Sequence, residues 1–140
     1  MIAIIDYDAG NIKSVEKACQ YLGQNVKVTR DRDEIMSASH VILPGVGAFG
    51  DAMSHLKEYQ LIQTIYDVVE KKTPFLGICL GLQLLFERSD ESRGVNGLGI
   101  LPGEIVEIPS APGLKIPHMG WNSMNITPGS RLFKGIEKNP

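Results

Sequence analysis

The strongest constraint on the fold is an alternation of two kinds of apolar pattern. Met1-Ile2-Ala3-Ile4-Ile5 is short and dense in β-branched residues, then breaks at Asp6-Tyr7-Asp8-Ala9-Gly10, as a buried strand feeding a loop does. Asn11 offers an N-cap, and Ile12, Val15, Cys19 and Leu22 recur at helical spacing until Gly23 supplies a stop. Val26 and Val28 alternate with polar neighbours over residues 25–29, residues 33–38 form a short helical patch, and Val41-Ile42-Leu43 is buried strand again. The break Pro44-Gly45-Val46-Gly47-Ala48-Phe49-Gly50 is followed by a second amphipathic stripe, Leu61, Ile62, Ile65, Val68 and Val69, ending at Lys71-Lys72. A strand over 74–78 and a nearly all-apolar helix over 80–86 complete the series. Strands alternating with helices predict an α/β fold: a mostly parallel sheet flanked by helices and joined by right-handed crossovers.

Beyond residue 94 the texture changes to Gly- and Pro-rich, with alternation in Glu104-Ile105-Val106-Glu107-Ile108 and a shorter extended piece at Leu114-Lys115-Ile116. Hairpins fit there better than helices, so an antiparallel extension of the sheet is expected. The length, 140 residues, suits one domain. With 43% hydrophobic and 21% charged residues, the composition argues against disorder and a membrane span. Fourteen basic and sixteen acidic residues nearly cancel, leaving no field to hold nucleic acid or an anionic membrane. Met1 leads straight into the first strand without a basic leader, so a cytoplasmic location is expected. The two cysteines, Cys19 and Cys79, show no disulfide framework and no metal-ligand spacing, and no cofactor is expected.

Cys19 lies on an apolar helical stripe and reads as a small core residue. Cys79 differs. Gly77-Ile78-Cys79-Leu80-Gly81 stands between a strand and a helix, the cysteine form of a nucleophile elbow, in which glycines make room for a turn that strains the reactive residue. At a helix start, free N–H groups and the dipole would favour the thiolate, which is the attacking species. In an α/β sheet the carboxyl strand ends carry the site, which brings the loops 6–10 and 44–50 into consideration beside Cys79. An oxyanion formed by attack on an amide needs N–H donors. Gly45-Val46-Gly47 can supply one and Leu80 a second, although a plain β-turn explains the same glycines equally well. Gln83, one turn beyond Cys79, could reach a substrate, and a satisfied buried amide is nearly as good a reading.

Pro74-Phe75-Leu76-Gly77-Ile78 followed by Cys79-Leu80-Gly81-Leu82-Gln83 resembles the elbow of class I, triad-type glutamine amidotransferases. Asp6-Tyr7-Asp8-Ala9-Gly10-Asn11, Leu43-Pro44-Gly45-Val46-Gly47-Ala48-Phe49, Leu101-Pro102-Gly103 and Pro117-His118-Met119-Gly120-Trp121-Asn122 narrow the resemblance to the glutaminase subunits of imidazole glycerol phosphate synthases. The resemblance runs to about Asn125 and implies a flavodoxin-like, class I glutamine amidotransferase-like domain. It implies hydrolysis of L-glutamine to glutamate and ammonia through a thioester on Cys79, with Gly45, Val46, Gly47, Leu80 and Gln83 around the bound amide. It also implies a (β/α)8-barrel cyclase as heterodimer partner, which would take the ammonia in histidine biosynthesis. Asn11, Met119, Trp121 and Asn122 match stretches that face that partner. For Trp121, the only tryptophan, core packing and an interface anchor weigh about evenly.

The family's base and its acidic partner belong to a His-Pro-Glu segment for which these 140 residues have no match. His40 precedes a strand and so lies opposite Cys79, His55 sits on a surface helix, and His118 belongs to the interface stretch. The expectation is an incomplete domain over 1–140, nearly inactive alone, with unpaired strand edges and, as a result, self-association or marginal stability. Two rivals remain: a cyclase-binding module without chemistry, and a cysteine hydrolase of a related elbow-bearing fold.

Overall fold

The structure, a computed structural model, describes residues 1–136. Contacts within the chain divide it into two units, Met1–Glu107 and Ile108–Pro140.

In the first unit, β1 (Ile2–Ile5), β2 (Val26–Thr29), β3 (His40–Leu43) and β4 (Phe75–Gly77) form one sheet in the order β2-β1-β3-β4. Every pair is parallel: Ile2 faces Val26 and His40, and Leu43 faces Gly77. Strand periodicity divides the side chains between two faces. Ala3, Ile5, Val41 and Leu43 join the larger core, with Ile35 of α2 (Arg32–Ser37), Phe49 and Leu56 of α3 (Phe49–Glu58), Ile65 and Val68 of α4 (Leu61–Glu70) and Leu80 of α5 (Leu80–Gln83). Ile4 and Ile42 face the other way onto Cys19, Ile12 and Val15 of α1 (Ile12–Tyr21). The near-continuous apolar runs of β1 and β3 are thus explained by burial on both faces. Asp31 caps α2 by accepting from the Glu34 N–H at 2.9 Å, and Arg32 reaches Asp67 of α4 at 2.6 Å, which ties these two helices together.

The parallel order puts the ends of β1, β2, β3 and β4 on one edge of the sheet, so the segments after Ile5, Thr29, Leu43 and Gly77 emerge side by side. The chain passes from β1 to β2 on one side and returns to β3 on the other, and the crevice between the β1 and β3 loops is a topological switch point.

Five expectations need correction. Asn11 precedes α1, but in the left-handed region (φ 66°), and its side chain caps no backbone N–H; its Oδ1 accepts from the Ser14 hydroxyl instead. The apolar helix after Cys79 is only four residues long, although Leu84 and Leu85 beyond it stay buried in turns. The expected strand over 104–108 is reduced to β6 (Glu104–Ile105), which pairs parallel with β5 (Arg88–Ser89). The expected antiparallel extension survives only as a bridge between Arg88 and Asn96. Leu114-Lys115-Ile116 forms no strand, since glycine- and proline-rich flanks leave it no neighbour to pair with. The second unit consists of turns, such as those closed by Leu114 N–H to Ala111 O and Ser130 N–H to Thr127 O.

Among the described residues β4 is one of the two edge strands of this sheet, with β2 the other, and Leu76 of β4, on the face shared with Ile42, stays 42% exposed. A groove of about 320 Å³ opens beside it, lined among others by Val69, Phe75, Leu82 and Ile100. Unpaired backbone beside exposed apolar surface favours association. The 1–140 chain should therefore sediment above monomer mass at micromolar concentration, and Leu76→Lys should return it toward monomer; a monodisperse parent with a sharp thermal transition would contradict this. The elbow glycine makes a second test possible. A Cβ at Gly81 would overlap the Leu43 carbonyl oxygen, which is backbone and cannot move aside. Gly81→Ala should destabilise the first unit by more than about 3 kcal/mol in urea unfolding.

Candidate active site

Cys79 stands between the end of β4 and the start of α5 with φ 54° and ψ −117°, a conformation that costs a non-glycine residue about 1–3 kcal/mol. Packing on both sides enforces it. Ile78 N–H donates to the Leu43 carbonyl at 3.0 Å, drawing the turn onto the end of β3. Gly77 runs so close to Leu82 that a Cβ there would stand 2.7 Å from the Leu82 Cα, and Gly81 is pressed on Leu43. Only glycine fits these approaches, and the thiol between them is turned out to solvent. The elbow predicted from glycine spacing is present.

The N–H groups around it are arranged otherwise than expected. Leu80 N–H donates to the Gly45 carbonyl at 3.2 Å and Gly81 N–H to the Ile78 carbonyl at 2.9 Å, so neither is free. A single turn of helix also carries little macrodipole. The expected helix-start activation of Cys79 therefore has little basis in this conformation. The Gly45–Gly47 loop does lie against the elbow: a Cβ on Gly45 would stand 3.1 Å from the Gly81 nitrogen and 3.2 Å from the Leu80 Cβ. It presents a carbonyl, not a donor, to Leu80. The N–H groups of Gly45, Val46 and Gly47 find no acceptor among the described residues. Gly47 has φ 108°, a value open to glycine alone, and Val46 is 47% exposed. Turning the Gly45–Val46 peptide would release Leu80 N–H from the Gly45 carbonyl. Gln83 is half-buried one turn after Cys79, and its N–H donates to the Cys79 carbonyl at 3.1 Å.

The sequence reasoning passed over Tyr7, which it used only as part of a strand-breaking loop. Tyr7 is buried, and its hydroxyl donates to the Pro44 carbonyl at the base of the same loop. Burial, and then the charge of Cys79, push its hydroxyl well above the ordinary tyrosine range. A tyrosine set just after a central strand, at the edge where sites form, was the available signal. The residues beside it are braced from β2: Arg30 pairs with Asp6 and with Asp8 at 3.1 Å each and lies 3.8 Å over the Tyr59 ring. Tyr59 donates to Asp8, and this bond, followed by Arg30, holds the Asp8 carboxyl below its usual range.

Of the three histidines, two belong to the first unit. His40 begins β3 at the opposite end of that strand, where its ring meets the Ser39 hydroxyl. His55 lies in the last turn of α3, beside Tyr59. His118 belongs to the second unit. Among the described residues, no hydrogen bond joins a histidine to Cys79, and no group of three His, Cys, Asp or Glu side chains gathers as a metal site. Of the residues expected at an interface, Asn11 follows the β1 loop at this edge of the sheet, while Met119, Trp121 and Asn122 lie on the exposed surface of the second unit. Within that unit Trp121 is not core: it is fully exposed. No helix among the described residues is long and apolar enough to cross a membrane.

These features match known proteins. The family model described as glutamine amidotransferase class-I matches residues 3–139. A Moorella thermoacetica protein named imidazole glycerol phosphate synthase subunit HisH is 53% identical over 96% of this chain and 63% of its own length. The Methanocaldococcus jannaschii protein of the same name is 48% identical over 99% of this chain and 68% of its own. The chain thus spans under two thirds of the first relative's length and slightly more of the second's. A crystal structure of a glutamine amidotransferase superposes with a TM-score of 0.62 at 20% identity, covering 72% of this chain and 53% of the other, and so supports the fold. The glycine-framed cysteine elbow on a parallel sheet, the match across residues 3–139 and the identity to these relatives agree: the chain belongs to the class-I glutamine amidotransferase family and groups within it with the HisH subunits.

Proposed function

We propose that this chain is one glutamine amidotransferase domain over residues 1–140, and that the protein it represents is the glutaminase subunit of imidazole glycerol phosphate synthase. The observation that carries this reading is the strained backbone of Cys79, locked by backbone contacts that only glycine permits at positions 77 and 81. In the proposed reaction the Cys79 sulfur attacks the side-chain carbonyl carbon of L-glutamine, and the carbonyl oxygen takes up negative charge. Collapse of that intermediate expels ammonia and leaves a thioester, which water hydrolyses to glutamate and free thiol. Leu80 and one residue of the Gly45–Gly47 loop donate to the oxyanion, which requires the Leu80–Gly45 bond to break first. In the closed form of the loop the enzyme holds its nucleophile without its electrostatic stabilisation. Gln83 lines the glutamine. The proton of Cys79 passes to a base outside the described residues.

The ammonia passes to a (β/α)8-barrel cyclase partner in the cytoplasm, in the service of histidine biosynthesis. Asn11, Met119, Trp121 and Asn122 form the docking contacts, and the full exposure of Trp121 favours an anchor role for it.

Glutamate release by a protein carrying this sequence, assayed with the cyclase subunit and its ligand, should fall at least about a thousandfold in Cys79→Ala. Undiminished release in that variant would overturn the reading. Trp121→Ala should weaken cyclase binding by roughly 2 kcal/mol, about thirtyfold in Kd by titration calorimetry, while leaving the thermal unfolding of the first unit unchanged. Unchanged affinity would remove Trp121 from the interface.

A further inference from the structure

We propose that Tyr7 is a positioning residue for this chemistry: its hydroxyl anchors the Pro44 carbonyl, so that the Gly45–Val46 peptide alone can turn to offer its N–H to the oxyanion. The inference rests on the glutaminase reading and adds to it a residue that neither the elbow nor the glycine-rich loop contains.

Tyr7 is 1% exposed and its hydroxyl donates to the Pro44 carbonyl, a long-range bond from the end of β1 to the end of β3 across the switch point. Pro44 has its φ held by its ring. With the carbonyl held as well, the plane of the Pro44–Gly45 peptide is set. The next peptide is not: its carbonyl is held only by Leu80 N–H at 3.2 Å, and beyond it Val46 and Gly47 are exposed, Gly47 with a positive φ. A peptide turns as a unit by opposite changes in the flanking ψ and φ. The anchored Pro44–Gly45 plane confines that change to ψ of Gly45 and φ of Val46, and Gly47, whose positive φ only glycine tolerates, takes up the adjustment beyond. The Tyr7 hydroxyl also occupies the space that a Cβ on Gly45 would need, so it limits the loop on its inner side.

Tyr7 is itself held at the end of β1. Asp6 N–H donates to the Thr29 carbonyl at 3.0 Å, and both Asp6 and Asp8 are paired with Arg30. Burial keeps the hydroxyl protonated and therefore a donor. A pre-set donor geometry matters because an oxyanion is stabilised by N–H groups that need no reorganisation at the moment of charge development.

Tyr7→Phe keeps the ring in its buried place and removes only the hydroxyl. Two alkylating probes of Cys79 separate loop geometry from thiol reactivity. Iodoacetamide forms the sulfur–carbon bond and expels iodide without a held carbonyl. The chloroketone analogue of glutamine forms the same kind of bond and expels chloride next to a ketone oxygen held where the oxyanion would sit. In the complex with the cyclase subunit, Tyr7→Phe should lower kcat for glutamine and the chloroketone inactivation rate about tenfold each, with KM and the iodoacetamide rate changed by less than about twofold. Gly45→Ala should also lower kcat, and its effect should not add to that of Tyr7→Phe, because removing the hydroxyl makes room for the new Cβ.

Equal losses with both probes, or a lower kcat accompanied by a proportionate rise in KM, would mean that Tyr7 only supports the fold and would overturn the proposal. Unchanged kcat in a folded Tyr7→Phe, or strictly additive effects with Gly45→Ala, would overturn it too. If the parent complex neither hydrolyses glutamine nor reacts with the chloroketone, the glutaminase reading fails, and the inference falls with it.

Discussion

The site depends on one close approach, the passage of Gly81 against the carbonyl of Leu43. No side chain separates α5 from the end of β3 there, and the Ile78 N–H closes on the same carbonyl oxygen at 3.0 Å. The chain must therefore reverse from strand to helix within two residues. Cys79 occupies the position at which the backbone takes a positive φ, and packing on the flanking glycines pays for the strain. Leu80, carried along by the same turn, meets Gly45. Cys79, the candidate donor and the glycine-rich loop are brought together by backbone contacts, and none of these is a salt bridge or a hydrophobic cluster.

That arrangement leaves the candidate oxyanion site closed. The single-turn helix uses its first N–H groups within the fold, and the loop contributes a carbonyl where catalysis would need a donor. The elbow is rigid and the loop is the part with freedom: Val46 is half exposed, the N–H groups of residues 45–47 lack acceptors in the described chain, and Gly47 occupies a region that side chains avoid. In the proposed glutaminase reaction, a resting state of this kind would restrain turnover until something stabilises the turned loop. The β1 loop, fixed by Arg30 and Tyr59 on one side and by the Tyr7–Pro44 bond on the other, lies where it can bear on that equilibrium.

Legibility in the sequence followed the strength of each local signal. The β-branched runs at Ile2–Ile5 and His40–Leu43 and the stripe of α4 were plain, because burial on two faces or on one helical face leaves a periodic mark. The elbow was plain because two glycines flank a cysteine at a strand end. What failed were segments whose conformation is settled by partners distant in sequence. The alternation at residues 104–108 implied a hairpin, yet Glu104 and Ile105 pair parallel with Arg88 and Ser89. Asn11 has the composition of a cap, but a left-handed backbone turns its side chain to Ser14. The apolar run after Cys79 implied a long helix, whereas Leu84 and Leu85 are buried in turns against the main core.

The sequence by itself determined the parallel α/β order, the glycine-framed position of Cys79 and the absence of a strong net charge, because these depend on residue type and spacing along the chain. Only the tertiary structure decided that the Leu80 N–H is already taken by Gly45, that Tyr7 closes on Pro44, and that Trp121 stands fully exposed in its unit. Each of these joins or exposes groups through the folding of residues far apart in sequence, and a donor's partner is fixed by distance in space, which no local periodicity records.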